Sequence, residues 1–241
     1  MTQTSVAMVK GGFHTDERME AAGFTGGVTT KAMGDMAQAA NRAKVLDTAG
    51  LGAWPAYLLK QVHGNGVRDL STFPAAQSES VDNQGDGWIV DAAGRVALAY
   101  AADCMPIFIW DRRGEAAAVL HSGWKGTQAN IAAAGVAALA ARGVAASEME
   151  AYIGPRARAC CYSVGNDFEK IFRTESLERR DGRLYLDLGK EASAQLIQAG
   201  LSREAISCSP ACTVCASDLF SFRRDKQGTR MMAFLAMRHG S

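Results

Sequence analysis

Short apolar runs cut by glycine, aspartate and proline dominate the middle of the chain. AYLLKQVH (56–63), GWIV (87–90), VALAYAAD (96–103), PIFIW (106–110) and EAAAVLH (115–121) are apolar at successive positions rather than at alternate ones. Runs of this length suit strands buried on both faces, and so predict a central sheet. EAYIG (150–154), LYLDL (184–188) and MMAFLAM (231–237) read as further strands. The segment TQANIAAAGVAALAARG (127–143) predicts a helix, with Thr127 as its cap, an alanine-rich interior and Gly143 as its stop. NDFEKIFRTE (166–175) and GKEASAQLIQAG (189–200) predict two more. Strands alternating with helices point to an α/β (α+β) sandwich, a mixed central sheet flanked by helices.

The 241 residues fit one large domain or two small ones. No stretch reads as an interdomain linker, so one domain over 1–241 is expected. The polar, turn-rich stretch 71–87 reads as a surface loop of functional length. Lys plus Arg (26) nearly cancels Asp plus Glu (25), with no long block of one sign, which argues against nucleic acid or a membrane surface as partner. The first residues lack a basic end followed by a sustained apolar stretch, and the chain is read as soluble and cytoplasmic. Six cysteines are too sparse for a disulfide scaffold and are expected as thiols, available for metal binding or catalysis.

Three candidate ligands stand where apolar runs give way to turns: His63, Cys104 and His121. Sites in open sheets gather beyond strand ends, where side chains from neighbouring strands converge. Two imidazoles and one thiolate suit zinc, with a fourth position left for water or substrate. Their separations match no short finger-type pattern, so the reading rests on donor chemistry and placement. Taken singly, each residue is better explained as a satisfied core side chain, and only the trio together favours a metal. A third reading makes Cys104 a nucleophile, with His121 as its base and His63 or Asp103 orienting the pair. HSGWKGT (121–127) adds an expected anion site from Gly123, Gly126, Lys125 and a helix start. Arg156, Arg158, Arg223 and Arg224 read as solvated surface unless they share the same cleft. Cys212 and Cys215, with Cys208 nearby, suggest a second metal or a redox pair.

KQVHGNGV, AADCMPIFIWD, AAVLHSGWKGT, IGPRARACCYSVG, LDL and CTVCASDLFSFRRD occur in this order. In this they resemble the YfiH-like laccase-domain family, whose members are also described as polyphenol oxidases and purine nucleoside phosphorylases. The resemblance implies an α/β sandwich around a mixed sheet. It also implies zinc on His63, Cys104 and His121, and phosphorolysis of adenosine, inosine and methylthioadenosine together with deamination of adenosine. The mechanism expected on that basis has Asp103 or Asp86 move the proton in deamination, and Lys125, the turn's N–H groups and Arg223 orient phosphate in phosphorolysis. The partners implied are nucleosides and phosphate. A distant likeness to toxin cysteine hydrolases keeps the Cys104 nucleophile open as an alternative. Copper is a possible second metal, but four histidines (His14, His63, His121, His239) are too few for a multi-copper oxidase centre. A purely structural zinc module would need a fourth protein ligand from Cys160, Cys212 or Cys215.

Two departures from the family pattern bear on phosphate. The usual His-Ala-Gly-Trp-Arg reads His121-Ser122-Gly123-Trp124-Lys125 here, which keeps the charge and loses the planar two-pronged donor. An early arginine before the glycine pair is missing from FTGGVTT (24–30), a change expected to weaken phosphorolysis more than deamination.

Overall fold

The computed structural model describes residues 8–73 and 83–238. Most of the 71–87 loop and His239 therefore lie outside the described residues. The apolar runs become strands, divided between two six-stranded mixed sheets. The first contains β1 (Met8–Lys10), β2 (Phe13–Thr15), β3 (Phe24–Val28), β4 (Ala56–Leu58), β7 (Val96–Ala101) and β15 (Met231–Met237), in the order β1-β2-β3-β15-β7-β4. The second contains β5 (Val67–Asp69), β6 (Gly87–Val90), β8 (Met105–Asp111), β9 (Ala117–Ser122), β10 (Met149–Ile153) and β14 (Ile206–Cys208), in the order β14-β10-β8-β9-β6-β5. A small third sheet joins β11 (Ser163–Val164), β12 (Leu177–Arg180) and β13 (Arg183–Leu186).

Helices cover the outer faces of the two large sheets, which is the expected mixed α+β sandwich with its strands shared between two layers. Each central strand feeds two cores by alternation. Along β8, Phe108 and Trp110 point into the core between the sheets, while Ile107 and Ile109 point outward under helices α4 (Ile131–Ala140) and α5 (Leu188–Gln198). Along β15, Met231, Ala233 and Leu235 face the inter-sheet core. Met232 and Phe234 face helix α2 (Ala39–Thr48) through Val45 and Leu46. Burial on both faces explains the unbroken apolar runs, each large side chain contributing about 1.5–3 kcal/mol.

Two helix expectations change. The chain after His121 forms a short helix α3 (Trp124–Gln128) and then α4, because Asn130 takes a left-handed conformation (φ 58°) and its carboxamide accepts from the Ala133 N–H. Asn130 is thus the cap; Thr127 is buried and donates its hydroxyl to the Gly123 carbonyl. Residues Asn166–Lys170 form only a 3-10 turn. The expected α5 is present and is capped by Asp187.

A buried polar bridge ties the two sheets together. Asp16 follows β2, caps α1 (Glu17–Ala21), pairs with Arg18 at 2.8 Å and accepts from Ser207 on β14. Burial alone would raise the Asp16 carboxyl; the hydrogen bonds from Arg18 and Ser207 outweigh it and hold it below the usual carboxylate range. The fold therefore favours the carboxylate, and the unfolded chain takes up the proton first as pH falls. An Asp16→Asn variant is expected to lose about 2 kcal/mol at neutral pH. That deficit should shrink as the pH falls below about 4, because wild type gives up the same contribution there. Paired thermal melts from pH 7 to pH 3 check this.

Candidate metal centre and the cleft around it

Strand register assembles the centre. β8 and β9 pair antiparallel with Met105 opposite Ser122, so the next step outward sets Cys104 against Gly123. β6 and β9 pair with Gly87 opposite Leu120, and one step further Asp86 meets His121. His121 is buried at the end of β9; its Nδ1 lies 2.9 Å from Asp86 Oδ1, and its backbone N–H donates to the Asp86 carbonyl.

His63 arrives differently from the expected strand end. β4 stops at Leu58, a single bridge joins Lys60 to Gln84, and His63 sits in a turn with φ 60°. Left-handed backbone is uncommon for a side chain of this kind and needs support. Asp86 supplies it: its carboxylate accepts the N–H groups of Val62 (3.2 Å), His63 (2.9 Å) and Gly64 (2.7 Å). Gln61 fixes the same turn to β7, accepting from Tyr100 N–H at 2.7 Å and donating to Tyr100 C=O at 3.0 Å.

One donor atom each from His63, Cys104 and His121 lies within 4.8 Å of the others. The Cys104 sulfur is 3.9 Å from His63 Nε2, and the two imidazole rings meet edge to face with centroids 4.8 Å apart. Burial would raise the Cys104 thiol, yet the imidazoles of His121 and His63 bring it down to about 6. Burial would lower His121, yet Asp86 and the Cys104 sulfur raise it to about 9. With Nδ1 turned to Asp86, the His121 Nε2 is left for the cluster. A carboxylate behind a histidine is the arrangement that orients and strengthens an imidazole ligand.

Gly123 makes the approach possible. A Cβ there would stand 3.0 Å from both Cys104 Sγ and His63 Cδ2. Its lack of a side chain serves the cluster, not the expected anion site, and α3 is a single short turn. Gly123→Ala is expected to push the ligands apart and lower metal affinity by roughly 10- to 100-fold, the range seen when ligand support is lost. Competition titration with a chromophoric chelator measures it.

The cluster opens onto a cleft of about 560 Å³ lined by Lys60, Gln61, Tyr100, Phe222 and Arg230 among others. Phe222, in helix α6 (Phe222–Asp225), is 51% exposed, a large apolar ring offered to the cleft. Asp103 stands beside the cluster in left-handed conformation (φ 81°), accepting from Thr213 Oγ1 and from the Arg223 N–H, both at 2.6 Å. Lys125 is not among the residues lining the cleft; its ammonium lies over the Trp124 ring, 5.6 Å from the centroid. The Arg223 guanidinium packs on Tyr162 at 4.6 Å and donates to Ser163, again off the cleft lining. Arg156 is a buried strut, donating to the Gly154 and Ser209 carbonyls, and is not the solvated surface expected. Among the described residues the Lys and Arg side chains lining the cleft are Lys60, the first residue of KQVHGNGV, and Arg230, neither of which was expected as a phosphate ligand.

No helix among the described residues is long and apolar enough to cross a membrane. Residues 23–238 match the family described as multi-copper polyphenol oxidoreductase laccase. A protein named purine nucleoside phosphorylase from Aquifex aeolicus is 34% identical over 149 residues, 62% of this chain and 69% of the relative. Another of that name from Xylella fastidiosa is 31% identical over 202 residues, covering 79% and 75%. The crystal structure of YlmD from Geobacillus stearothermophilus superposes with a TM-score of 0.83 at 25% identity, covering 98% of this chain and 99% of that one. The Bacillus licheniformis hypothetical protein YfiH has the same fold, with a TM-score of 0.84 at 24% identity over 95% and 97%. With a matching family model across nine-tenths of its length and this shared fold, the chain belongs to the YfiH-like, laccase-type family.

Proposed function

We propose that this chain is a zinc-dependent purine nucleoside enzyme, cleaving adenosine, inosine and methylthioadenosine with phosphate and also deaminating adenosine. The observation that carries the reading is the convergence of two imidazoles and one thiolate on one point at a cleft wide enough for a nucleoside. Relatives named purine nucleoside phosphorylase support the substrate class. The donor set suits Zn²⁺ with a fourth position free, and His63 Nε2, Cys104 Sγ and His121 would hold it. When bound, the ion supplies Lewis acidity at the cleft floor.

The chain's own groups do the rest. Lys60 and Arg230 give phosphate its counter-charge, and the exposed face of Phe222 offers the purine a stacking surface. In phosphorolysis a phosphate oxygen bonds to ribose C1′ while the bond from C1′ to the base breaks. The base keeps the electron pair and takes up a proton. In deamination water adds at C6 and ammonia leaves. Asp86 and Asp103 line no part of the cleft, and all four of their carboxylate oxygens are already hydrogen-bonded. We therefore assign them positioning roles, Asp86 behind His121 and the His63 turn, Asp103 behind Cys104 and Arg223, in place of proton transfer.

A second reading makes Cys104 the nucleophile of a hydrolase, favoured by its lowered thiol and by the Asp86-oriented His121. It casts His63 only as an orienting group, whereas His63 Nε2 faces the same sulfur at 3.9 Å, as a further donor to one ion would. The deciding experiment purifies the protein without chelators, measures bound metal, and assays the three nucleosides with and without phosphate. Zinc with phosphate-dependent base release supports phosphorolysis, and ammonia release from adenosine supports deamination. A metal-free protein alkylated rapidly at Cys104 and silent on nucleosides overturns the proposal for the nucleophile. Copper with phenol turnover overturns it for an oxidase.

A further inference from the structure

Four cysteines that the cleft does not use lie together on another part of the molecule. Cys160 and Cys161 end a turn after β10, and Cys212 and Cys215 flank a turn after β14. The sulfur atoms of all four lie within 4.8 Å of one another. Cys215 Sγ is 3.6 Å from Cys160 Sγ and 3.1 Å from Cys161 Sγ. Four thiolates about 2.3 Å from one tetrahedral ion stand about 3.8 Å apart, close to the spacing between Cys160 and Cys215. We propose that Cys160, Cys161, Cys212 and Cys215 form a second, structural zinc site with a closed shell of four thiolates.

The backbone is already arranged for such a site. The 212–215 turn is closed by the Cys215 and Ala216 N–H groups on the Cys212 carbonyl, and the 158–161 turn by the Cys161 and Tyr162 N–H groups on the Arg158 carbonyl. A bridge between Arg156 and Cys212 clasps the two turns side by side. The Arg224 guanidinium donates to the carbonyls of Thr213, Val214 and Ala216, which fixes the second turn from beneath. Ion binding releases to solvent whatever protons the thiols still carry, and no electron transfer is involved.

A disulfide between Cys161 and Cys215 would employ two of the four sulfurs and leave the convergence of Cys160 and Cys212 without a purpose. The site also has a consequence at the cleft. Thr213, between two of the ligands, holds Asp103, and Ser163, two residues beyond Cys161, receives the Arg223 guanidinium. The clasp is a tether for the segments that support Cys104.

The test removes the first site and asks whether a second remains. In a His63→Ala/Cys104→Ser double variant, purified under reductant and shown folded by circular dichroism, elemental analysis is expected to find one zinc per chain, against two in wild type. Cobalt exchanged into that variant should give the intense charge-transfer and red-shifted visible bands of a tetrathiolate ion. A Cys160→Ser/Cys215→Ser variant should hold one zinc per chain, on the remaining trio. The proposal is overturned if the first double variant is folded and metal-free, or if wild type carries a Cys161–Cys215 disulfide, seen as an intact mass two hydrogens lighter without reductant. Should either variant fail to fold, the wild-type stoichiometry and its cobalt spectrum decide alone: a single ion without a tetrathiolate signature refutes the site. None of these readouts depends on nucleoside turnover, so the proposal can fail while the proposed function stands, and the reverse.

Discussion

Replacing His63 with alanine is expected to lower nucleoside turnover by about 10³-fold while leaving the melting temperature of the metal-free protein within a few degrees of wild type. The magnitude follows from the several kcal/mol of charge stabilisation that a catalytic metal supplies, at about 1.4 kcal/mol per tenfold in rate. The small effect on folding follows from placement: His63 is exposed in a turn beyond β4, and its backbone is held by Asp86 through main-chain N–H groups that alanine keeps. Histidine is several-fold enriched over other side chains in the left-handed region, which corresponds to a cost for alanine of at most about 1 kcal/mol. Steady-state kinetics and melting of the apo form measure the two quantities, and elemental analysis shows whether the variant still holds zinc. A large drop in stability together with activity would show that His63 serves the fold, and unchanged turnover in the zinc-depleted variant would end the metal reading.

The second large effect is expected at Asp86, with the opposite balance. Asp86→Ala removes the acceptor of three backbone N–H groups and the partner of the buried His121 ring. Loss of one partner from a buried charged network costs about 3–5 kcal/mol. Loss of the group behind a metal-bound histidine costs roughly 10- to 100-fold in metal affinity. Asp86→Ala should therefore melt well below wild type and bind zinc weakly. Asp86→Asn, which retains one acceptor oxygen, should fall between the two. Equal stability for wild type and both variants, measured by denaturant titration, would show that the His63 turn is held by something other than this carboxylate.

Much of this was legible in the sequence, for identifiable reasons. The runs 96–103, 106–110 and 115–121 announced themselves because β7, β8 and β9 are buried on both faces almost throughout, so their interior positions are apolar and polar residues stand only toward their ends. Cys104 and His121 were legible as a pair because they lie at neighbouring ends of one antiparallel pairing, where sequence proximity and spatial proximity agree. β2 and β3 were missed, being short and rich in glycine or polar residues. Lys60 opens the KQVHGNGV segment and Arg230 directly precedes β15, far apart in sequence, and nothing in either neighbourhood marks the two as lining one cleft. Lys125 and Arg223 were chosen on charge beside a motif, and charge alone does not reveal which way a side chain leaves the backbone. The C-x-x-C at 212–215 was visible, but its partners are 55 and 54 residues away, a distance over which spacing carries no information.

The carboxamide of Gln61 has a further consequence. By giving and taking one hydrogen bond with the main chain of Tyr100, it stands in for the peptide group of a strand that has already ended. The exposed border of β7 beside the cleft is therefore sealed at that position by a side chain, while the main chain is free to turn and deliver His63. An unsealed border invites another polypeptide to add itself in β register. Here one glutamine lets the sheet have an opening for small molecules without also presenting a template for aggregation.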